Sequence, residues 1–433
     1  MKTRYWDRAA ECLSRRKLEE LQLERLRATV RKVQKNVPFY QRKLEAIGLG
    51  PEKIKSLQDV RRLPFTTNAD LREAYPAGLL AVPLRKALRL HTSSGTTGKP
   101  KAIFFSRRDL QNSADLIARC LVATGATDED ILQNMMTYGL FTGALVMHYG
   151  AEKVGLLVIP AGPGNSEKQL LLMQDFRSTM FHTTPSYALY FADFLDKKGI
   201  DPKRHLALRR GYIGAEPYTE QTRRKIEQAF GIEVYNSYGL SEMNGPGVAF
   251  ECTARHGMHL WEDHFLMEII DPATGEPVPD GRPGELVLTT LCREAMPLLR
   301  YRTRDITALI PEPCPCGRTH RRIQRITGRA DDMLIVRGVN IYPQQIESVL
   351  MSMPELGRNY LIVLEGLDEM TVKVELSASA FDGRVESLAG LQQQVAERLR
   401  TELLTRPRVE LCAPGSLPVS EGKAKRVLDK RTL

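Results

Sequence analysis

Ser93-Ser94-Gly95-Thr96-Thr97-Gly98-Lys99-Pro100-Lys101 lies between an apolar run at Leu88 to Leu90 and the apolar segment Ala102-Ile103-Phe104-Phe105. Small hydroxyls and glycines let backbone N–H groups wrap closely around a polyphosphate, and the lysines add positive charge. A flexible surface loop would explain the serines and glycines but not their density between two lysines. The string is not a Walker loop, since the four residues between its glycines are missing and Pro100 follows Lys99 where a magnesium-binding Ser or Thr belongs. Around it, from about Leu90 to Tyr238, short apolar runs (Leu156 to Ile159, Gly211 to Gly214) alternate with helical stretches (Glu167 to Phe176, Thr219 to Phe230). That rhythm predicts an α/β fold with parallel sheet and covering helices.

Upstream, Leu18 to Leu44 reads as helix with a break at Val37-Pro38. Downstream, between Phe265 and Ile310, strands and turns such as Pro279-Asp280-Gly281 predict a small β-rich subdomain. After about Gly328 the pattern predicts a separate α+β unit: a helix at Pro343 to Met351, a strand at Thr371 to Leu376, a helix at Val385 to Leu404 and a strand near Val409 to Cys412. The expected division is 1–328 and 329–433.

The 433 residues exceed what one hydrophobic core organises, and 42% hydrophobic with 26% charged residues describes a globular protein. No apolar run approaches a membrane span and the charged N-terminal region is no secretory signal, so a cytoplasmic protein is expected. The net charge of +10 is densest in residues 1–45, with 13 Lys/Arg against 6 Asp/Glu, but no nucleic-acid motif accompanies it. Nucleic acid is therefore not an expected partner; a cleft handling ATP and pyrophosphate suits the same balance. The 7 cysteines are odd in number and scattered, which argues against a disulfide framework. Cys252, Cys314 and Cys316 with His259 do offer the donors of a closed tetrahedral Zn²⁺ site, His256 and His264 being competing ligands.

The loop from Ser93 to Lys101 resembles the phosphate loop of the acyl-adenylate-forming superfamily, and the other motifs of that superfamily follow in order along the chain. Gly214-Ala215-Glu216-Pro217 resembles the segment beside adenine. Asn236 and Ser237 lead into Tyr238-Gly239-Leu240-Ser241-Glu242, which resembles the motif whose tyrosine packs on adenine and whose glutamate holds Mg²⁺. Tyr301 to Asp305 resembles the motif whose aspartate accepts the ribose hydroxyls; an ion pair with Arg302 or Arg304 is the competing reading of Asp305. Thr327 to Met333 resembles the junction to a mobile C-terminal domain, which implies Arg329 at the nucleotide and Asp331 at the hinge. Gly338 would lie beside the pantetheine of coenzyme A. Lys423, in Ser420 to Arg426, matches the catalytic lysine of the first half-reaction, with Lys425 as its fallback.

Within the superfamily the resemblance sharpens to the phenylacetate–CoA ligases through Tyr138 to Gly143, His148 to Glu152, Ile159 to Gly162 and Gln174 to Phe176. It implies an acid-plus-MgATP reaction giving acyl-AMP, then transfer of the acyl group to coenzyme A. Tyr138 and Phe141 are expected as aromatic walls of an aryl-acid pocket, with Gly214 and Ala215 leaving room for a flat ring. Gln133-Asn134-Met135-Met136 is more polar than a plain phenyl pocket requires. A homodimer is left open. The competing functions are an adenylyltransferase that stops at an AMP adduct and a non-catalytic acyl-nucleotide binder.

Overall fold

The computed structural model describes residues 5–92, 100–332, 334–336, 339–366, 369–377, 380, 385–418 and 426–431. The loop residues Ser93 to Lys99, Gly338, Lys423 and Lys425, all expected at the site from sequence, lie outside them.

A nine-stranded sheet organises the larger part of the chain. Its order across the sheet is Leu309–Ile310, Arg322–Ile323, Met258–Leu260, Gly245–Glu251, Glu233–Leu240, Arg210–Gly214, Met180–Thr183, Ile131–Asn134 and Leu157–Ile159. The last five are mutually parallel and the rest antiparallel. Parallel strands need crossover helices, and the chain supplies Thr142–Val154, Ser166–Asp175, Pro185–Lys197 and Glu220–Phe230. Each starts or stops on a recognisable device: Asn165, Thr184 and Thr219 cap their helices through side-chain oxygens, and Gly155 and Gly231 end theirs in the left-handed region.

The expected β-rich subdomain is a four-stranded antiparallel sheet of Phe265–Ile270, Gly284–Thr290, Tyr301–Thr307 and Gly328–Arg329. Its last strand pairs Asp305 with Arg329, so the ribose candidate and the junction arginine are neighbours by register.

Residues from Leu334 to Val409 build a hydrophobic core of their own, including Ile346, Tyr360, Val372 and Leu399. A four-stranded sheet in the order Arg408–Cys412, Glu369–Leu376, Leu356–Gly366 and Val427–Asp429 carries the Pro343–Met351 and Val385–Leu403 helices. The N-terminal segment forms the helices Arg15–Asn36 and Pro38–Ala46, with Pro38 breaking the run as expected. Among the described residues no helix is long and apolar enough to cross a membrane.

Candidate active site

The parallel strands deliver their C-terminal ends to a cleft of about 1480 Å³ that residues of both cores line. Gly214 ends its strand where an added Cβ would meet Ser237 O at 2.3 Å, so only glycine allows the two strands this approach. Ala215 follows at φ +67°, a strained conformation for a residue with a side chain, and lines the cleft. Glu216 accepts hydrogen bonds from the Ser186 hydroxyl at 2.6 Å and backbone N–H at 3.2 Å, and Pro217 completes this wall.

Asn236, Ser237, Tyr238 and Gly239 line the next strand's end. The Tyr238 hydroxyl donates to Asp305 Oδ2 at 2.6 Å, and Arg329 Nη1 lies 3.4 Å from Asp305 Oδ1. Burial pushes the Asp305 carboxyl up to about 6, although Tyr238 and Arg329 pull it down. Arg302 and Arg304 do not pair with Asp305; both turn to the buried Glu285, at 2.5 Å and 3.5 Å. Asp305 thus faces the cleft with one hydroxyl and one guanidinium around it. Arg329 also forks onto Asp331 through two bonds of 2.9 Å, so the residue assigned to the hinge holds the one assigned to the nucleotide.

Glu242 is nearly sealed and bonds Lys101 Nζ and, at 3.1 Å, the Tyr301 hydroxyl. Burial would raise its pKa, but Lys101 outweighs burial and holds the carboxyl below the usual range. Asn68 Oδ1 receives both Lys101 Nζ at 2.7 Å and the Tyr301 hydroxyl at 2.8 Å, closing the cluster. Sequence reasoning placed Lys101 in the phosphate loop's charge but did not pair it with Glu242, and it missed Asn68 altogether. No local pattern announces an asparagine whose role depends on residues some 30 and 230 positions away.

Phe141, Gly214 and Ala215 line the cleft, whereas Tyr138 is not among the lining residues. Its hydroxyl is engaged by Asn134 Nδ2 at 2.9 Å and His148 Nδ1 at 3.1 Å, so the aromatic wall expected of Tyr138 is a hydrogen-bonded strut behind the wall.

Away from the cleft, one ligand atom each from Cys252, His259, Cys314 and Cys316 lies within 4.8 Å of the others, all four residues being buried. The Cys252 and Cys314 sulfurs are 3.6 Å apart, and Cys316 Sγ is 3.3 Å from His259 Nε2. His259 Nδ1 is engaged by the His320 carbonyl at 2.9 Å, which leaves Nε2 for the cluster. His256 is instead turned to Arg322 and His264 to Asp263.

The model of the AMP-binding enzyme family matches residues 42–292, and that of the AMP-binding enzyme C-terminal domain matches 338–431. The phenylacetate-coenzyme A ligase of Thermus thermophilus is 47% identical over 97% of this chain and 98% of its own. Among solved structures, a 2-hydroxyisobutyryl-CoA ligase in the postadenylation state with R3-HIB-AMP superposes at TM-score 0.94, with 30% identity over 99% of this chain and 93% of that one. The same ligase in its thioesterification state, with 2-HIB-AMP and CoA, superposes at only 0.73, with 31% identity over 99% of this chain and 92% of that one. Since one enzyme gives both values, the difference records how its parts are arranged, and this chain matches the postadenylation arrangement. With an acyl-CoA ligase fold and 47% identity to such an enzyme over nearly its full length, the chain belongs to the AMP-binding enzyme family, in its phenylacetate–coenzyme A ligase branch.

Proposed function

We propose that the protein couples an arylacetic acid to coenzyme A in two steps: the carboxylate displaces pyrophosphate from ATP to form acyl-AMP, and the CoA thiolate then displaces AMP. The observation that carries this reading is the cleft itself, where Tyr238, Asp305 and Arg329 stand together with the Lys101–Glu242 pair. A base, a ribose and a phosphate chain need an aromatic face, an anionic acceptor and cations in that company.

In this reading Tyr238 flanks adenine with the Gly214 to Pro217 segment, Asp305 accepts the ribose hydroxyls and Arg329 reaches the phosphate side. Lys423, outside the described residues, supplies the cation bridging carboxylate and α-phosphate, two anions whose approach sets the barrier. Gly338 passes the pantetheine, and the 329–433 unit turns about Asp331 between the steps. Glu242 fits a Mg²⁺ held mainly by nucleotide phosphates and water, because it offers a carboxylate beside the polar Asn68 and Tyr301; Lys101 holds that carboxylate ionised. When bound, the ion would neutralise phosphate charge. Cys252, His259, Cys314 and Cys316 fit a structural Zn²⁺, as tetrahedral bonds of about 2.3 Å to sulfur and 2.0–2.1 Å to nitrogen give ligand–ligand edges of about 3.5–3.8 Å. Four protein ligands would close that site to substrate.

The test is pyrophosphate and AMP release with MgATP across phenylacetate, hydroxyphenylacetates, indoleacetate, benzoate and fatty acids, each with and without CoA. Pyrophosphate release should depend on an arylacetic acid and AMP release on CoA, and Lys423→Ala should lose pyrophosphate release while still converting supplied acyl-AMP. Turnover confined to fatty acids, or AMP release indifferent to CoA, would overturn the reading.

A further inference from the structure

One side chain on the cleft wall is wired to the surface by groups that the proposed reaction does not use. His182 lies on the Met180–Thr183 strand, paired by register with Asn134 on one side and Tyr212 on the other. It is 3% exposed and lines the cleft. Its Nδ1 is 3.1 Å from Asn134 Oδ1.

The orientation of Asn134 is fixed independently of His182. Its other amide atom lies 2.9 Å from the Ala144 carbonyl, which can only accept, so that atom is the NH₂ nitrogen. The backbone N–H of Met136 points at the opposite atom at 3.4 Å, which agrees with oxygen there. An amide oxygen facing His182 Nδ1 obliges that nitrogen to carry the proton. His182 Nε2 is then a lone-pair acceptor, and no described group bonds it. Burial holds the imidazole neutral, its pKa down to about 3, so the acceptor persists across the working pH range.

The same logic continues outward. The Asn134 NH₂ also donates to the Tyr138 hydroxyl at 2.9 Å, which leaves the Tyr138 proton for His148 Nδ1 at 3.1 Å. His148 Nε2 lies 2.9 Å from Glu152, whose side chain is 52% exposed. His182 is thus held by its neighbours in one tautomer and one orientation, with Asn134, Tyr138 and His148 as positioning residues behind it.

Apolar and small residues, Met135, Met136, Phe141, Gly214 and Ala215, line the same cleft beside the hydroxyls of Thr183 and Thr184, and none of them is hydrogen-bonded to Nε2 among the described contacts. A deeply placed acceptor left without a donor costs binding free energy, whereas a matched donor converts that cost into selectivity. We infer that His182 Nε2 is a specificity-determining acceptor, and that the preferred acid is an arylacetic acid carrying a hydrogen-bond donor on its ring, a phenolic O–H or an indole N–H. This inference rests on the arylacetic-acid reading above and narrows it.

The test compares kcat/KM for phenylacetate, 3- and 4-hydroxyphenylacetate and indole-3-acetate in the wild type and in His182→Phe, which keeps a ring but removes the acceptor. One donor-bearing acid should exceed phenylacetate by at least about tenfold in the wild type. In His182→Phe that ratio should fall to about one, whatever the absolute rates of the variant; the hydroxylated and indole arms say which donor is used. A wild-type preference for phenylacetate, an unchanged ratio in the variant, or a change confined to the KM for ATP would each overturn the inference while leaving the arylacetic-acid reading intact. If no arylacetate is turned over, both fail. Should the variant not fold, ¹⁵N-histidine NMR of the wild type decides: the resonance of an unprotonated ring nitrogen should move on adding the donor-bearing acid but not on adding phenylacetate, and no such difference would overturn the inference.

Discussion

Asp305 is placed where burial works against its own charge. Its carboxyl rises from 3.8 to about 6 because burial outweighs the help of Tyr238 and Arg329. Between those values the folded chain binds more protons than the unfolded one, so stability falls as pH rises through that window. Above it the full deficit remains, about 3 kcal/mol. Asp305→Asn should therefore raise the melting temperature at pH 7.5 and change it little near pH 4, while raising the KM for ATP at least about tenfold. Calorimetry at both pH values with ATP kinetics checks this, and a variant less stable at pH 7.5 would contradict it. Residues of this kind were legible where a motif carries them: Tyr238, Glu242 and Asp305 came from short strings. Lys101's partnership with Glu242 and the engagement of Tyr138 away from the cleft were not, because both depend on contacts made only after the sheet has assembled.

At the scale of elements, the Cys314 to His320 loop does more than gather sulfurs. Tyr5 donates to the Cys316 carbonyl at 2.9 Å, and Arg318 pairs with Glu11 at 2.6 Å with both side chains sealed. Thr319 N–H and His320 Nε2 reach the Glu11 and Ala10 carbonyls at 3.1 Å and 3.0 Å. The loop therefore clasps the N-terminal segment to the main sheet, and a metal fixing the loop would fix the clasp. The purified protein should carry one zinc per chain by elemental mass spectrometry. Cys316→Ser should lose it and melt about 5–10 °C lower, taking a few kcal/mol at about 2–4 °C each. A wild type that purifies without zinc, or a Cys316→Ser variant that keeps it, would contradict the assignment. The spans of most elements could be read from periodicity and caps: the Pro343–Met351 helix matches its expected bounds, and the helix expected from Thr219 runs Glu220–Phe230 with Thr219 as its cap. The clasp could not, since its hydrogen bonds join residues some 310 positions apart.

Across the whole molecule, the two cores meet at Glu347, nearly sealed on the Pro343–Met351 helix. Its carboxylate accepts from Thr222 Oγ1 at 2.5 Å and the Thr219 N–H at 3.3 Å across the junction, and from the Tyr360 hydroxyl at 2.8 Å within its own unit. Hydrogen bonds to a charged group contribute about 1.5–3 kcal/mol each, enough to bias one arrangement over another by tenfold or more. Glu347→Ala should slow the pyrophosphate-forming step about tenfold while leaving thioester formation from supplied acyl-AMP unimpaired; equal losses in both steps would make Glu347 merely structural. The composition pointed to more than one unit and the motifs to a mobile one, but which side chains join them depends on how the units dock, which no spacing encodes. The central claim, that the acid is activated on the α-phosphate of ATP, is tested most directly by running the complete reaction with acid labelled with ¹⁸O in both carboxylate oxygens. Attack on that phosphorus leaves one acid oxygen on AMP when CoA takes the acyl group. We predict AMP carrying one ¹⁸O per thioester formed, and label in inorganic phosphate with ADP as co-product, or no label in AMP, would contradict the account.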